Sequence, residues 1–131
     1  MKSTIELLKI AYDRGYHLIE TKYETGLPMD ITSSLGLHDD LNIRMPHSLW
    51  FHLICKRGYE KGVDYCTRTL WSSTGNSKNP IAPCTDHALT LSMAKDICMM
   101  QKTEKAKELL QFYVDYENAD IWEQIVDLKK Q

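Results

Sequence analysis

Apolar residues recur near helical spacing at Ile5, Leu8, Tyr12 and Ile19, and Ala11 and Leu18 widen the same stripe. Ser3, followed three residues later by Glu6, forms a capping box at the start of this run. The pattern predicts a helix over residues 4–22, weakened at Gly15 and ending before the Gly26-Leu27-Pro28 turn. Thr32 to Leu37 reads as one helical turn capped by Asp30 or Thr32. Pro46 has the fixed φ favoured at a first helical position, and Gly58 suits a left-handed end. Between them Leu49, Leu53 and Ile54 form an expected core-facing stripe, joined by Trp50 or Phe51. A short helix, an Asp39-Asp40 turn and a longer helix make a helix-turn-helix-like unit, which warrants DNA binding only if the second helix exposes a base-reading face.

Val63 to Trp71 is rich in aromatic, Thr and Val residues and predicts a strand. Residues 72–83 carry the strongest loop signal in the chain, and His87 to Thr90 reads as a returning strand. Such a hairpin requires helices against it, because an isolated one is marginal. Thr90 caps a helix through Met100 in which Leu91, Ala94, Ile97 and Cys98 share a side. Thr103 begins another, with Ala106, Leu109, Leu110, Tyr113 and Val114 as its stripe. Asp120 and Glu123 repeat the capping-box spacing ahead of an expected final helix with Ile121, Trp122, Ile125 and Leu128. The expected fold is α+β: a predominantly helical compact domain with a small β-hairpin, one domain over residues 1–131.

A chain of 131 residues with 43% hydrophobic and 26% charged residues can build a core without metal or disulfides. Neither a membrane-length apolar run nor a secretory signal stands out, so a cytoplasmic location is expected. The net charge of -2 hides an uneven distribution. Residues 41–107 hold ten basic and five acidic residues, whereas both flanks are acidic. The middle therefore suits an acidic protein or a nucleic acid. Cys55, Cys66, Cys84 and Cys98 form no CxxC pair and read as free thiols in partly buried positions; a zinc site would have to combine the close pair Cys84 and His87 with distant ligands such as Cys55 or Cys66. No metal or other cofactor is expected.

Arg44, Lys56, Arg57, Lys61 and Arg68 are the candidate recognition cations, and Trp71 beside the Ser-rich loop is either a core residue or an exposed anchor. Lys95, Lys102, Lys105 and Lys107 form a second basic group that helix stabilisation also explains. Trp50, Phe51, Leu109 and Tyr113 read as core, and Met93, Met99 and Met100 as helix packing. No spacing fixes a nucleophile, base and orienting group, and no Walker loop or dinucleotide-binding fingerprint occurs, so no catalytic residues are assigned. Leu110, Tyr113, Tyr116 and Trp122 suggest a strip through which the chain forms a homodimer.

The segment from His87 to Met100, HALTLSMAKDICMM, resembles the strand-to-helix segment of AntA/AntB phage antirepressor domains. Thr103-Glu104-Lys105-Ala106-Lys107 is similar to that family's downstream turn and basic helix start. Trp50 to Tyr65, with Gly62-Val63-Asp64-Tyr65, resembles its tryptophan-bearing helix and Gly-x-Asp-aromatic segment. The likeness spans residues 29–117. It implies a phage or prophage protein that binds and inhibits a regulatory protein such as a repressor. Two alternatives stay open: a sequence-specific DNA-binding regulator, and an inhibitor of a host defence protein.

Overall fold

The computed structural model describes residues 2–19, 30–73 and 75–130. Helix α1 (Thr4–Arg14) starts as its pattern predicts, with the Ser3 hydroxyl accepting from the Glu6 amide at 3.2 Å. It stops well short of residue 22. Gly15 adopts a left-handed φ of 76°, and the amides of Gly15 and Tyr16 return to the carbonyls of Tyr12 and Ala11. The following residues serve the sheet instead, since the Ile19 amide donates to the Ile31 carbonyl at 2.9 Å. The expected turn at Gly26-Leu27-Pro28 lies outside the described residues.

The segment read as a helical turn at residues 32–37 divides in two. Strand β1 (Asp30–Ser33) runs directly into α2 (Ser34–Asp40), whose cap is Ser33, accepting from the Gly36 amide at 3.1 Å. Pairing with a distant strand overrides the local helical pattern at Thr32. Helix α3 (His47–Cys55) follows, with Pro46 at its cap position and not inside the first turn. It buries Trp50, Phe51 and Ile54, whereas Leu49 and Leu53 face solvent, which corrects the expected stripe.

Strands β2 (Tyr65–Ser73) and β3 (Ile81–Thr90) form an antiparallel pair, and β1 joins the other edge of β3, so the sheet order is β1-β3-β2. The hairpin is longer than expected because β3 begins at Ile81, inside the segment read as loop. Pro83 is accommodated there because β1 pairs only with Ala88, Leu89 and Thr90, which leaves β3 bordered by one strand at Pro83.

Helix α4 (Leu91–Met100) starts where its cap predicts, with Thr90 Oγ1 accepting from the Met93 amide at 3.3 Å. Thr103 caps α5 (Glu104–Lys130) through the Ala106 amide. Contrary to the expected break near Asp120, α5 is one continuous helix of 27 residues. Glu123 caps another element: its carboxylate accepts from the Thr4 amide at 3.0 Å and the Thr4 hydroxyl at 2.8 Å, satisfying a free donor at the start of α1. Among the described residues, five helices around a three-stranded antiparallel sheet thus make an α+β fold, with Leu37, Leu89, Met93, Ile97, Leu109 and Tyr113 at the centre of its core. Among the described residues no helix is long and apolar enough to cross a membrane.

Candidate interaction surface

The anchor of the surface is polar and buried. Asp86 Oδ1 accepts from the Leu35 amide, the His87 amide and the Ser34 hydroxyl at 3.1, 2.8 and 3.2 Å. Its other oxygen, Oδ2, accepts from Arg68 Nη2 at 3.1 Å. A buried carboxylate needs this many donors to offset its lost hydration. The result fixes the start of α2 against β3 and β2.

Ser34 Oγ also lies 2.7 Å from His47 Nε2. Here the hydroxyl stands between the imidazole and the carboxylate, whereas nucleophile activation requires the imidazole in the middle. Ser34 is moreover fully buried. The three side chains act as a clamp joining α2, α3 and β3.

An aromatic stack lies beside that clamp. The His87 ring stacks on Phe51 with centroids 3.9 Å apart, and Tyr65 meets both edge-on. Burial pushes the pKa of His47 and of His87 below the ordinary imidazole value, and neighbouring positive charge, from His38 on His47 and from His47 and Lys61 on His87, lowers each further. Packing against β3 and β2 turns Phe51 inward, so the opposite side of α3 faces water.

That outer side carries Ser48, Leu49, His52, Leu53 and Lys56, all exposed. Leu49 and Leu53 are one turn apart and 50% and 42% exposed. Arg44 lies exposed in the turn before the helix, and Lys56 and Arg57 are exposed at its end. Three of the predicted cations therefore bracket an exposed apolar pair.

Lys61 is exposed in the turn leading into β2, where it reaches the sheet through a bridge between Lys61 and Tyr65. Arg68 is half-buried and engaged with Asp86. Trp71 is 68% exposed and pairs across the strands with Pro83. Of the two readings for Trp71, the exposed one matches its position. Strand alternation puts Thr67, Thr69, Trp71, Pro83 and Thr85 on one uncovered face of the hairpin. Of the cations singled out in the sequence, Arg44, Lys56, Arg57 and Lys61 lie exposed and Arg68 is held on Asp86, whereas Leu49 and Leu53, expected in the core, face solvent because Phe51 turns inward.

The second basic group disperses. Lys95 pairs with Glu117 at 2.9 Å, Lys107 pairs with Glu104 at 3.3 Å, and Lys102 and Lys105 are exposed. Met93 is buried and Met99 exposed. The four cysteines are free, Cys98 buried and the others half-buried, and burial pushes the Cys98 thiol up to about 12, so it stays protonated. Cys84 and His87, three apart on β3, point to opposite faces and cannot share a metal. Among the described residues His17, Asp39 and Asp40 bring potential ligand atoms together. Asp40 is already used by the fold: His17 Nδ1 lies 2.6 Å from Oδ1, and the His17 amide donates to Oδ2 at 3.0 Å.

Comparison with curated proteins and with solved structures gave no match. The model of one known family, described as AntA/AntB antirepressor, matches residues 33–103, more than half of the chain and the whole of the segment from α2 through α4.

Proposed function

Because the chain belongs to the AntA/AntB antirepressor family, we propose that it binds a regulatory protein of the repressor class through the outer side of α3 and the cations around it. The observation that carries this reading is the exposed pair Leu49 and Leu53, bracketed by Arg44, Lys56 and Arg57. An apolar centre with a charged rim is the anatomy of a protein interface. Base readout in a DNA groove instead draws on Arg, Lys, Asn and Gln aimed at base edges. Of these types the outer side of α3 offers only Lys56, and Leu49 and Leu53 occupy its centre between Ser48, His52 and Lys56. The hairpin face with Trp71 supplies a second anchor on the same matched segment.

Antirepression needs no bond chemistry. Covering the operator-binding face of a repressor, or binding preferentially to a form that does not hold DNA, lowers operator occupancy in either case. The experiment is a mobility-shift titration with the repressor of a phage or prophage that carries this chain. Adding the chain should release repressor from its operator without the chain shifting that DNA alone. A sequence-specific shift by the chain alone would favour the DNA-binding alternative.

A further inference from the structure

Among the described residues, nothing packs on one apolar side of the distal half of α5. From Ile121 to Lys129 every residue except Glu123 and Val126 is exposed. Glu123 is turned toward α1, where it holds Thr4. On the side away from α1, Ile121, Ile125 and Leu128 follow the four-three spacing of a coiled-coil seam, with Leu128 70% exposed. Val114 and Asn118 extend the same register toward the body of the protein. The aromatic strip expected from sequence does not form: Tyr113 is fully buried, and Tyr116 is half-buried near Phe112.

We propose that this seam pairs with the same seam of a second copy of the chain, with the two α5 helices antiparallel. Two observations select a second copy in this orientation. First, the seam is self-complementary: antiparallel pairing sets Ile121 of one copy on Ile125 of the other, and Leu128 against Asn118 in the layer at each end, where the amide reaches the water at the margin. Second, the flanking charges match. Asp115 and Lys129 are exposed on one flank of the seam, each one heptad from Trp122. Antiparallel pairing centred near Trp122 brings Asp115 of each copy opposite Lys129 of the other, and the two Trp122 rings together. A parallel pair would instead set Lys129 beside Gln124 and Trp122 beside Glu117, which is already bound to Lys95. Asp115 also accepts from Gln111 Nε2 within its own helix, a contact at the surface that pairing need not break.

Ile121, Trp122, Ile125 and Leu128 together expose on the order of 400 Å² of surface on each copy, the scale of a functional patch, so a pair would bury roughly 800 Å² in total, the size of a weak and reversible association. The seam lies beyond residue 103, outside the family-matched segment, and the proposal does not depend on the repressor-binding reading.

Sedimentation across a wide concentration range tests it. The native chain should reach the mass of two chains as concentration rises. Ile125→Asp should hold the mass of one chain with the helical circular dichroism unchanged. Asp115→Lys should weaken association, and Asp115→Lys combined with Lys129→Asp should restore it, because each copy then presents the exchanged charges. A single-chain mass for the native protein at every concentration would overturn the proposal. So would a dimer that survives Ile125→Asp, as it would if the apolar stripe of α1 were the contact. Failure of the double exchange to restore association would overturn the antiparallel register.

Discussion

The Arg68 guanidinium grips one oxygen of the buried Asp86 carboxylate, with Nη2 and Nε at 3.1 and 3.3 Å from Oδ2. Its charge therefore has a structural task at the base of the hairpin, whatever else the residue touches. Arg68→Ala would leave Asp86 buried without its cation, and the expected loss of stability is about 3 kcal/mol. Chemical denaturation followed by circular dichroism measures it. A loss near zero would show that the backbone and hydroxyl donors to Asp86 suffice.

Gly36 and His17 meet so closely that a Cβ on Gly36 would lie 2.5 Å from the Cβ of His17. Gly36→Ala must push the His17 segment away from Asp40, and it is expected to cost about 2 kcal/mol, the usual scale of overpacking. Since the clash is with Cβ itself, His17→Ala would not relieve it, whereas His17→Gly would. Comparing Gly36→Ala in the native and His17→Gly backgrounds by thermal unfolding checks the contact; equal losses in both would contradict it.

Elements specified by short-range chemistry were legible in the sequence. Thr90 bonds the Met93 amide, and Ser3 the Glu6 amide, as their spacing predicts. The same logic misplaced a break at Asp120, because a capping box and an uninterrupted helix can share one sequence; what settles Glu123 is Thr4, 119 residues away. Strand β1 was hidden for a related reason, since its four residues are extended by pairing with β3 and not by their own propensity. In the candidate surface the charged residues were legible, but the orientation of α3 was not. Leu49, Trp50, Phe51 and Leu53 have similar apolarity, and the stack of Phe51 on His87 decides which of them turn inward.

Burial lowers the pKa of His47 and His87 below 6.5, so each imidazole protonates more readily in the unfolded chain than in the folded one. Above that value both states are neutral at these positions and the two residues add no pH dependence. As pH falls through 6.5 the unfolded state gains protons first, and stability declines until the folded pKa values are passed. Melting temperatures measured between pH 8 and pH 5, on the order of one flanking interval each side of an imidazole pKa, should fall more steeply at the acid end for the native chain than for a His47→Gln, His87→Asn variant. Parallel profiles would contradict the assignment.

The central claim is that the outer side of α3 is the contact for a regulatory protein. Calorimetric titration of a repressor with the native chain and with a Leu49→Asp, Leu53→Asp variant tests it most directly. Both leucines are exposed, so the variant should keep the native melting temperature. The account predicts stoichiometric binding by the native chain and at least about a tenfold weaker association for the variant, the loss expected when anchors at an interface centre are removed. Undiminished binding by a folded variant would contradict it.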